Sequence, residues 1–334
     1  MHEIRFCRID ERDKLMRFIQ DDWCEGHILA RDVNLLAWQH NDRIHSRYNF
    51  VVAADNGRFD AILGFIPTYQ YDIALQAWPQ VWLAIWKSVA ERAHNPVLGR
   101  QLLEFLEREM QPVSIGAIGI NARVEKLYRH LGYTTGMLDH YYIRNPYLPH
   151  SQLLCPPGHF PAPEQGGKGC ELFWMHLDFM DIGDLWDLPF HTAPRKSAEY
   201  FRRRYLIHPT YRYRFLGAWN GYKLCGVFVV RCIEANGAAC LRIVDFAGCV
   251  PFLGSLSDEF VRILHEEDAE YVDAVCHGID FTHMGFSRAE SPHFPPNHFE
   301  PFEVRGEPIR FAYKSAMSPY VIMKGDSDQD RPNR

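Results

Sequence analysis

Apolar and polar positions along the chain predict a repeated order of strands and helices. In the first half, apolar runs of strand length lie at residues 3–9, 48–54, 59–71, 81–89 and 114–120. The second and third runs are separated by Asp55-Asn56-Gly57, which tolerates the positive φ of a tight hairpin turn. Apolar residues at helical spacing follow at about 13–24 and from Arg100. This pattern predicts the α/β (α+β) class, with a mixed, mostly antiparallel sheet flanked by helices.

The stretch from Ser114 to Tyr133 is the most informative one. It opens with a short apolar run that predicts a buried strand. Gly116 and Gly119 interrupt this strand, and glycines in a strand usually mark the close approach of another backbone or a ligand. Asn121 then stands where a helix would begin and is a good N-cap residue.

One amphipathic helix follows this asparagine. Its apolar face is formed at i, i+3, i+4 and i+7 by Val124, Leu127, Tyr128 and Leu131. Gly132 is expected to end the helix in the left-handed conformation that glycine favours at this position. The unit is therefore a strand, an asparagine, one helix with a Leu-Tyr pair, a glycine and an aromatic residue.

This order resembles the second half of the coenzyme A site in the GCN5-related N-acetyltransferases, the GNAT superfamily. The resemblance covers seven positions, and Val124 stands where the family more often has alanine. It implies that the first domain binds an acyl-CoA, acetyl-CoA or another, as co-substrate. It also implies that Tyr128 protonates the leaving sulfur.

The first half of such a site is a glycine-containing loop that leads into a helix, and residues 94–101 occupy its place. The family pattern is Gln or Arg, two residues, Gly, one residue, and Gly or Ala. This chain keeps Gly99 but has His94 and Val97 at the first two positions. Because valine does not easily adopt positive φ, we expect an altered loop geometry or a loss of CoA binding. The cofactor-binding residues implied by the resemblance are Trp86, Lys87, Ser88, Val89, His94, Val97, Leu98, Gly99, Arg100, Gln101 and Asn121.

The segment 27–40 sets polar groups among packing residues. In GNAT folds, the segment between the first two strands borders the acceptor pocket. The resemblance therefore implies substrate contacts from Arg31, Gln39 and His40, with Tyr142 added by its position. His27 is a candidate general base on the same grounds, although a surface helix with satisfied polar residues explains this segment equally well.

The second half repeats the order of elements without either motif, which predicts a degenerate GNAT-like domain. The predicted organisation is a GNAT-like acyl-CoA-binding domain at 1–145, a Pro/Gly-rich linker at 146–169, the degenerate domain at 170–323 and a polar tail at 324–334. Tandem GNAT-like pairs in which one half has lost CoA resemble bacterial acyl- and aminoacyltransferases.

Composition narrows the choice of partners. The chain of 334 residues is 47% hydrophobic with a formal net charge of -6, which favours neither a nucleic-acid nor an anionic-membrane partner. No apolar run approaches transmembrane length, and the first residues lack the apolar core of a signal peptide. Nine scattered cysteines without CxxC spacing favour reduced thiols over a zinc site. We therefore expect a cytoplasmic protein with a small-molecule acceptor, no membrane insertion and no metal; the oligomeric state is not predicted.

These observations favour an acyl-CoA-dependent N- or O-acyltransferase. The GD-D-RPN ending at 325–333 is similar to acyltransferase-like proteins of bacterial surface-polysaccharide clusters, which implies an amino sugar or nucleotide sugar as acceptor. One alternative is a non-catalytic binding module with a GNAT shell, because Val97 departs from the family loop. Another is an aminoacyl transferase of the peptidoglycan-bridge type, which the basic run Arg202–Arg204 leaves open.

Overall fold

The computed structural model describes residues 2–148, 150–154, 169–176, 188–190, 193–289, 295–299, 302–303 and 306–330. These residues form two eight-stranded mixed sheets flanked by helices. The fold class is therefore the one that the apolar pattern predicts.

The first sheet takes seven of its strands from the first half of the chain and one from near the end. These strands are β1 (Glu3–Arg8), β2 (Asn41–Asp42), β3 (Arg47–Asp55), β4 (Arg58–Pro67), β5 (Gln80–Ser88), β6 (Ser114–Ile120), β7 (Thr134–Met137) and β17 (Arg310–Ser315). Their order is β1-β3-β4-β5-β6-β17-β7, with β2 paired to β3. The helices beside this sheet are α1 (Arg12–Phe18), α2 (Ile28–Arg31), α3 (Val33–His40), α4 (Ala90–Ala93), α5 (Leu98–Met110) and α6 (Ala122–His130).

The second sheet has the same arrangement. Its strands are β8 (Asp139–Arg144), β9 (Glu171–Trp174), β10 (Arg214–Asn220), β11 (Lys223–Ala235), β12 (Ala238–Gly248), β13 (Ala269–His277), β14 (Ser287–Arg288) and β18 (Ile322–Met323). Their order is β14-β8-β13-β12-β11-β10-β9, with β18 paired to β13. Its helices are α7 (Ala198–Phe201) and α8 (Ser257–Glu266), and a separate hairpin joins β15 (His298–Phe299) to β16 (Phe302–Glu303).

Local sequence signals account for many of these elements. Asn56 and Gly57 adopt φ 48° and 77° between β3 and β4, which is the turn that the Asp-Asn-Gly sequence predicts. Alternation along β3 sends Val51 and Ala53 to one face of the first sheet and Phe50 and Val52 to the other. Helices α5 and α6 cover the Val51 face, whereas α1 to α3 cover the Phe50 face.

The two sheets exchange a strand. Residues 139–144, at the end of the predicted first domain (1–145), form β8 and pair with β13 in the second sheet. In return, β17 enters the first sheet between β6 and β7. The last strand of the predicted first domain therefore belongs to the second sheet, and the domain bounds stay a prediction. Leu138 alone separates β7 in the first sheet from β8 in the second.

The predicted linker is only partly within the described residues, since 149 and 155–168 lie outside them. Its described beginning packs against the second sheet. Leu153 and Leu154 are buried there, and the Leu153 N–H donates to the buried Glu270 carboxylate at 3.0 Å. A division of the chain into two independent domains with a boundary at 145–170 stays a prediction.

Candidate functional site: two strand notches and a buried C-terminal segment

Strands β5 and β6 pair in parallel over four residues and then separate. Their register runs from Gln80 opposite Ser114 to Leu83 opposite Ala117. Beyond Leu83 and Ala117 the facing backbone edges of the two strands no longer bond to each other, which leaves N–H and C=O groups in need of other partners. We call this divergence the first notch.

Helix α5 begins beside the first notch. Its N-cap residue is Val97, and a Cβ built on Gly99 would lie 3.2 Å from the Trp86 indole nitrogen on β5. The first N–H groups of a helix lack intrahelical acceptors and favour anions. The start of α5 thus presents an anion-binding end next to Trp86.

Val97, in the loop before α5, does not adopt the positive φ that glycine allows, in keeping with the expectation for valine. Val97 has φ -101°, and the left-handed conformation falls on His94 with φ 44°. Asn95 organises the loop, because its Oδ1 accepts the Val97 N–H at 3.1 Å and its Nδ2 donates to Gln101 Oε1 at 2.9 Å. CoA binding by this loop stays a prediction. Of the other predicted loop residues, Leu98 is buried in the core, and Arg100 is exposed and paired with Glu104 at 2.7 Å.

Tyr128 lies on the face of α6 that packs against the first sheet. Its ring centroid is 5.6 Å from that of Trp86 and 4.9 Å from that of Tyr133, and its side chain is buried. Burial, and secondarily the charge of Glu107, raises the pKa of Tyr128 far above its usual value. The phenol therefore keeps its proton throughout the physiological pH range.

Asn121 caps α6 as the sequence predicts. Its Oδ1 accepts the N–H groups of Arg123 and Val124 at 3.0 and 2.9 Å. At the far end of β5, Lys87 and Ser88 pair with β4, and the Val89 N–H donates to Asp60 O at 3.0 Å. The N–H of Val89 is thus already engaged, which leaves earlier residues of β5 as donors toward the first notch.

The predicted acceptor residues do not converge on Tyr128. His27 precedes α2, where its Nδ1 accepts the Leu29 N–H at 3.2 Å. His40 is buried with Nδ1 3.1 Å from Phe65 O and Nε2 3.0 Å from the Gln39 amide nitrogen. The α2–α3 segment packs on the sheet face opposite to the one that Tyr128 covers.

The other two predicted acceptor residues, Arg31 and Tyr142, lie in different parts of the fold. Arg31 is exposed on α2, and Tyr142 is buried on β8 in the second sheet.

A cleft of about 530 Å³ does lie beside the predicted acceptor segment. It is bounded by α3, by the turn after it and by the start of the second half's helical region. Its polar and aromatic lining includes Trp38, Arg43, Tyr69, Tyr71, Arg202 and Arg203.

Strands β12 and β13 form an equivalent second notch. They are parallel up to Ile243 opposite Ala274 and then separate. Here the chain itself completes the backbone pairing. Strand β18 pairs with the end of β13, and the Gly325 N–H donates to Val244 O at 2.6 Å.

The C-terminal segment Lys324–Asp330 is polar, as predicted, but it is buried rather than a projecting tail. Asp326 and Asp330 are almost completely shielded from solvent. Charged hydrogen bonds offset the cost of burying them. Lys196 Nζ lies 2.8 Å from Asp326 Oδ1 and 2.8 Å from both oxygens of Asp245, and Arg204 donates to Asp330 at 3.0 Å.

Asp326 shares the Lys196 ammonium with Asp245. Burial and the nearby Asp245 raise the pKa of Asp326, against the opposing effect of Lys196. Arg204 is held in turn against the rings of Trp38 and Tyr71, so the segment is connected to the wall of the cleft.

The same segment reaches the first notch through side chains. Ser327 Oγ donates to Leu83 O at 3.0 Å, at the last paired residue of β5. Gly119 has φ 77°, and a Cβ there would lie 2.6 Å from Gln329 Oε1. The close approach that we expected at Gly116 and Gly119 is therefore real and is made by the protein's own groups, since Gly116 lies under Trp82 and Tyr320. Sequence reasoning missed this segment; its similarity to a family ending was the one signal that pointed to it.

Two kinds of feature are absent from the residues that the structure describes. None of their helices is long and apolar enough to cross a membrane. They contain no group of three or more His, Cys, Asp or Glu side chains placed to hold a metal ion. The eight cysteines among them form no disulfide.

The fold is similar to several solved structures. A GCN5-related N-acetyltransferase from Anabaena variabilis ATCC 29413 superposes with a TM-score of 0.54 at 12% identity over 94% of this chain and 72% of that one. A GCN5-related N-acetyltransferase from Kribbella flavida gives 0.54 at 13% identity, over 94% and 70%. A conserved protein of unknown function from Enterococcus faecalis V583, described as a probable N-acyltransferase, gives 0.53 at 10% identity, over 93% and 72%.

The chain has the fold of two tandem GNAT-like domains. At these identities the likeness shows the fold alone. No family model matches the sequence, and no curated protein matches it.

Proposed function

We propose that this protein is an acyltransferase that takes its acyl group from an acyl-CoA bound in the first notch. The observation that carries the proposal is the divergence of β5 and β6 after Leu83 and Ala117, with the N-terminus of α5 beside it. The amide groups of a pantetheine arm suit the unpaired strand edges, and a pyrophosphate suits the start of the helix.

The chemistry is the attack of an amine or hydroxyl on the thioester carbonyl. A carbon–nitrogen or carbon–oxygen bond forms, the carbon–sulfur bond breaks, and the acceptor's proton must reach a base while the thiolate takes a proton. A free N–H on β5 before Val89 is suited to the developing oxyanion. Tyr128 is the proposed proton donor to the thiolate by the resemblance of its position; its raised pKa keeps the hydroxyl protonated before the reaction but also makes it a weaker acid.

The base is not assigned by this geometry. His27 remains a prediction, although its Nδ1 already accepts the N–H of Leu29. The non-catalytic alternative rests on the loop before α5, where Val97 has a negative φ in place of the family glycine; acetyl-CoA binding separates the two readings.

The acceptor is proposed to bind in the cleft beside α3. Trp38, Tyr69 and Tyr71 offer ring faces to a sugar, and Arg43 and Arg202 offer guanidinium groups to a phosphate or carboxylate. These properties favour an amino sugar or nucleotide sugar, in keeping with the surface-glycan resemblance of the chain ending.

The aminoacyl-transfer alternative gains no support from the basic run. Arg202 and Arg203 pair with Glu199, and Arg204 is buried against Asp330. The three arginines therefore do not form one exposed basic patch for a nucleic acid.

Calorimetry with acetyl-CoA tests the proposal. We expect binding to the wild type, and we expect Val97→Glu to weaken it about 10-fold or more, because a carboxylate at the α5 N-cap opposes the pyrophosphate. Val33→Glu is the matched control, since it introduces the same charge at an exposed first turn, that of α3. Absence of wild-type binding at millimolar acetyl-CoA, or equal binding by the two variants, contradicts the proposal.

A further inference from the structure

The cleft beside α3 collects exposed isoleucines at its mouth. Four isoleucines among the residues that the structure describes are about half exposed, and three of them line this cleft. They are Ile44, Ile73 and Ile207, with 58%, 52% and 52% of their surface exposed. The fourth, Ile9, lies between β1 and α1 and does not line the cleft. Exposed apolar side chains occur singly on most protein surfaces, so three at one cleft indicate a contact with a ligand.

These three side chains come from separate segments of the chain. Ile44 lies in the turn between β2 and β3, and Ile73 lies in the short helical segment after β4. Ile207 follows α7 in the second half of the chain. The tertiary structure therefore brings them together, and we call the three the isoleucine rim.

The buried part of the cleft lining is polar and aromatic. Tyr69, Tyr71 and Asp42 are almost completely shielded from solvent. Asp42 is already bonded within the protein, since it accepts the Tyr69 hydroxyl at 3.2 Å and lies 2.7 Å from His45 Nδ1. Asn41 Oδ1, in contrast, is a buried acceptor without a hydrogen-bond partner among the residues that the structure describes. A hydroxyl or amine of a ligand would supply the missing donor.

Arg43 adds a positive charge to the isoleucine rim. It is exposed, directly precedes Ile44, and makes no hydrogen bond or ion pair with any residue that the structure describes. The other two arginines of the cleft, Arg202 and Arg203, pair with Glu199. Of these three guanidinium groups, that of Arg43 is therefore the one free to bind an anionic group such as a phosphate.

The polarity of this cleft is the reverse of the usual one, in which an apolar interior lies behind a polar rim. We propose that its ligand is an amphiphilic acceptor, in which a sugar is followed by a phosphate and then by an apolar chain. The sugar lies against the buried polar and aromatic lining, the phosphate beside Arg43, and the chain across the isoleucine rim, where it removes apolar surface from water. This inference rests on the proposed function, which places the acceptor in this cleft. It favours a sugar phosphate with an apolar chain over a nucleotide sugar, which offers no such chain to the rim.

Calorimetric titration of the full-length protein, without acyl-CoA, tests the inference. The probes are methyl phosphate and hexyl phosphate, the second kept below the concentration at which it forms micelles. They carry the same anionic group and differ only in the length of the apolar chain. We expect hexyl phosphate to bind about 10-fold more tightly or more, because burial of about two methylene groups already gives that factor.

Variants assign this preference to the cleft. The double variant Ile44→Ser, Ile207→Ser removes most of the isoleucine rim, and we expect the preference for hexyl phosphate to fall below about threefold. Ile9→Ser is the matched control and should keep the wild-type preference. Arg43→Gln should weaken the binding of both probes about 10-fold. Arg108→Gln should weaken neither, because Arg108 is exposed on α5 and does not line the cleft.

Thermal melting checks that each variant is folded. Should the double variant fail to fold, Ile73→Ser alone keeps the test, with an expected loss of about twofold or more in the preference for hexyl phosphate.

Four results overturn the inference. Neither phosphate binds, or the two bind within about twofold of each other. The preference for hexyl phosphate survives in the rim variants, or Ile9→Ser lowers it equally. Uridine diphosphate binds more tightly than hexyl phosphate, which would assign the cleft to a nucleotide sugar. Arg43→Gln and Arg108→Gln bind both probes equally well.

The acyl-CoA proposal can fail separately, because acyl-CoA is absent from this titration. Loss of acetyl-CoA binding with a retained preference for hexyl phosphate contradicts the proposed acyltransferase and not the ligand class of the cleft. Acetyl-CoA binding without that preference contradicts the amphiphilic acceptor alone.

Discussion

The two notches are built alike but completed differently. In each, two parallel strands pair over a few residues and then separate. In the second notch the chain supplies β18 and the Gly325 N–H, so backbone groups of the protein fill the gap. At the first notch the same segment contributes only side chains, those of Ser327 and Gln329.

The difference explains why one half of a tandem fold can keep a ligand site while the other loses it. Unpaired strand edges must find hydrogen-bond partners, and a segment of the same chain satisfies them permanently. A notch completed in this way has no room for a pantetheine arm. Among the residues that the structure describes, no backbone pairing bridges β5 and β6 beyond Leu83 and Ala117, which is why the proposed acyl-CoA site is placed in the first notch.

The largest expected effect is on the free energy of unfolding. It should follow from removal of the Lys196 ammonium, which holds the C-terminal segment in the second notch. Lys196→Met leaves Asp245 and Asp326 buried without their shared ammonium, and we expect a loss of about 3–5 kcal/mol in the free energy of unfolding. Urea denaturation measures it. Lys223→Met is the control, because Lys223 is exposed in the same half.

The pH dependence of this variant gives a second readout. Burial already raises the folded-state pKa of Asp326 above its usual value, and Lys196 opposes that shift, so without Lys196 the penalty for the charged Asp326 applies at high pH and fades as it protonates. The deficit should therefore shrink from about pH 8 to about pH 5. A variant within about 0.5 kcal/mol of Lys223→Met would show that the ion pairs do not hold the segment.

The next largest expected effect is on turnover, and it concerns Tyr128 beside the first notch. Tyr128→Phe keeps the ring against Trp86 and removes the hydroxyl, and we expect kcat to fall about 10- to 1000-fold with little change in stability or acetyl-CoA affinity. Turnover is measured with an identified acceptor, or as acetyl-CoA hydrolysis in its absence.

Tyr133→Phe is the control for this variant. Its hydroxyl donates to Glu107 at 2.8 Å, so its removal should cost about 1 kcal/mol of stability while turnover stays within about twofold. Unchanged turnover in Tyr128→Phe would assign Tyr128 to the core alone. Lost stability with normal turnover would assign its hydroxyl to a structural hydrogen bond.

The smallest effect is expected where the segment touches the first notch. Ser327→Ala removes the hydrogen bond to Leu83 O and should lower stability by about 1 kcal/mol. Because Leu83 is the last paired residue of β5, we also expect acetyl-CoA affinity to fall roughly 2- to 10-fold.

Ser315→Ala is the comparison for this change, since Ser315 ends β17 and its Oγ donates to Met317 O at 2.8 Å. It should lose similar stability and keep its acetyl-CoA affinity. Equal acetyl-CoA affinities in the two variants would show that the C-terminal segment does not contribute to the proposed ligand site.

Elements decided by neighbours in sequence were predicted well. Asn121 caps α6 and Gly132 follows its end with φ 81°, because capping needs only residues within one turn. The turn at Asn56-Gly57 follows from the same short-range rules. The position of Tyr128 on the packed face of α6 was likewise predicted from residues close in sequence, by their helical spacing.

Elements that depend on partners distant in sequence were not predicted well. Apolar alternation marks Asp139–Arg144 as a strand but cannot tell which sheet it joins, since either sheet offers an edge. An altered loop was expected because valine does not easily adopt positive φ at Val97, but the sequence did not predict that the left-handed residue would be His94.

By itself, therefore, the sequence determined the helices, strands and turns, the order of the tandem domains and the helix that bears Tyr128. These depend on periodicity and on capping within a few residues. Only the tertiary structure decided the exchange of β8 and β17 and the burial of Lys324–Asp330. A run of aspartates has the composition of an exposed segment, and it is buried here because Lys196 and Arg204, more than one hundred residues earlier, bring the charges that compensate it.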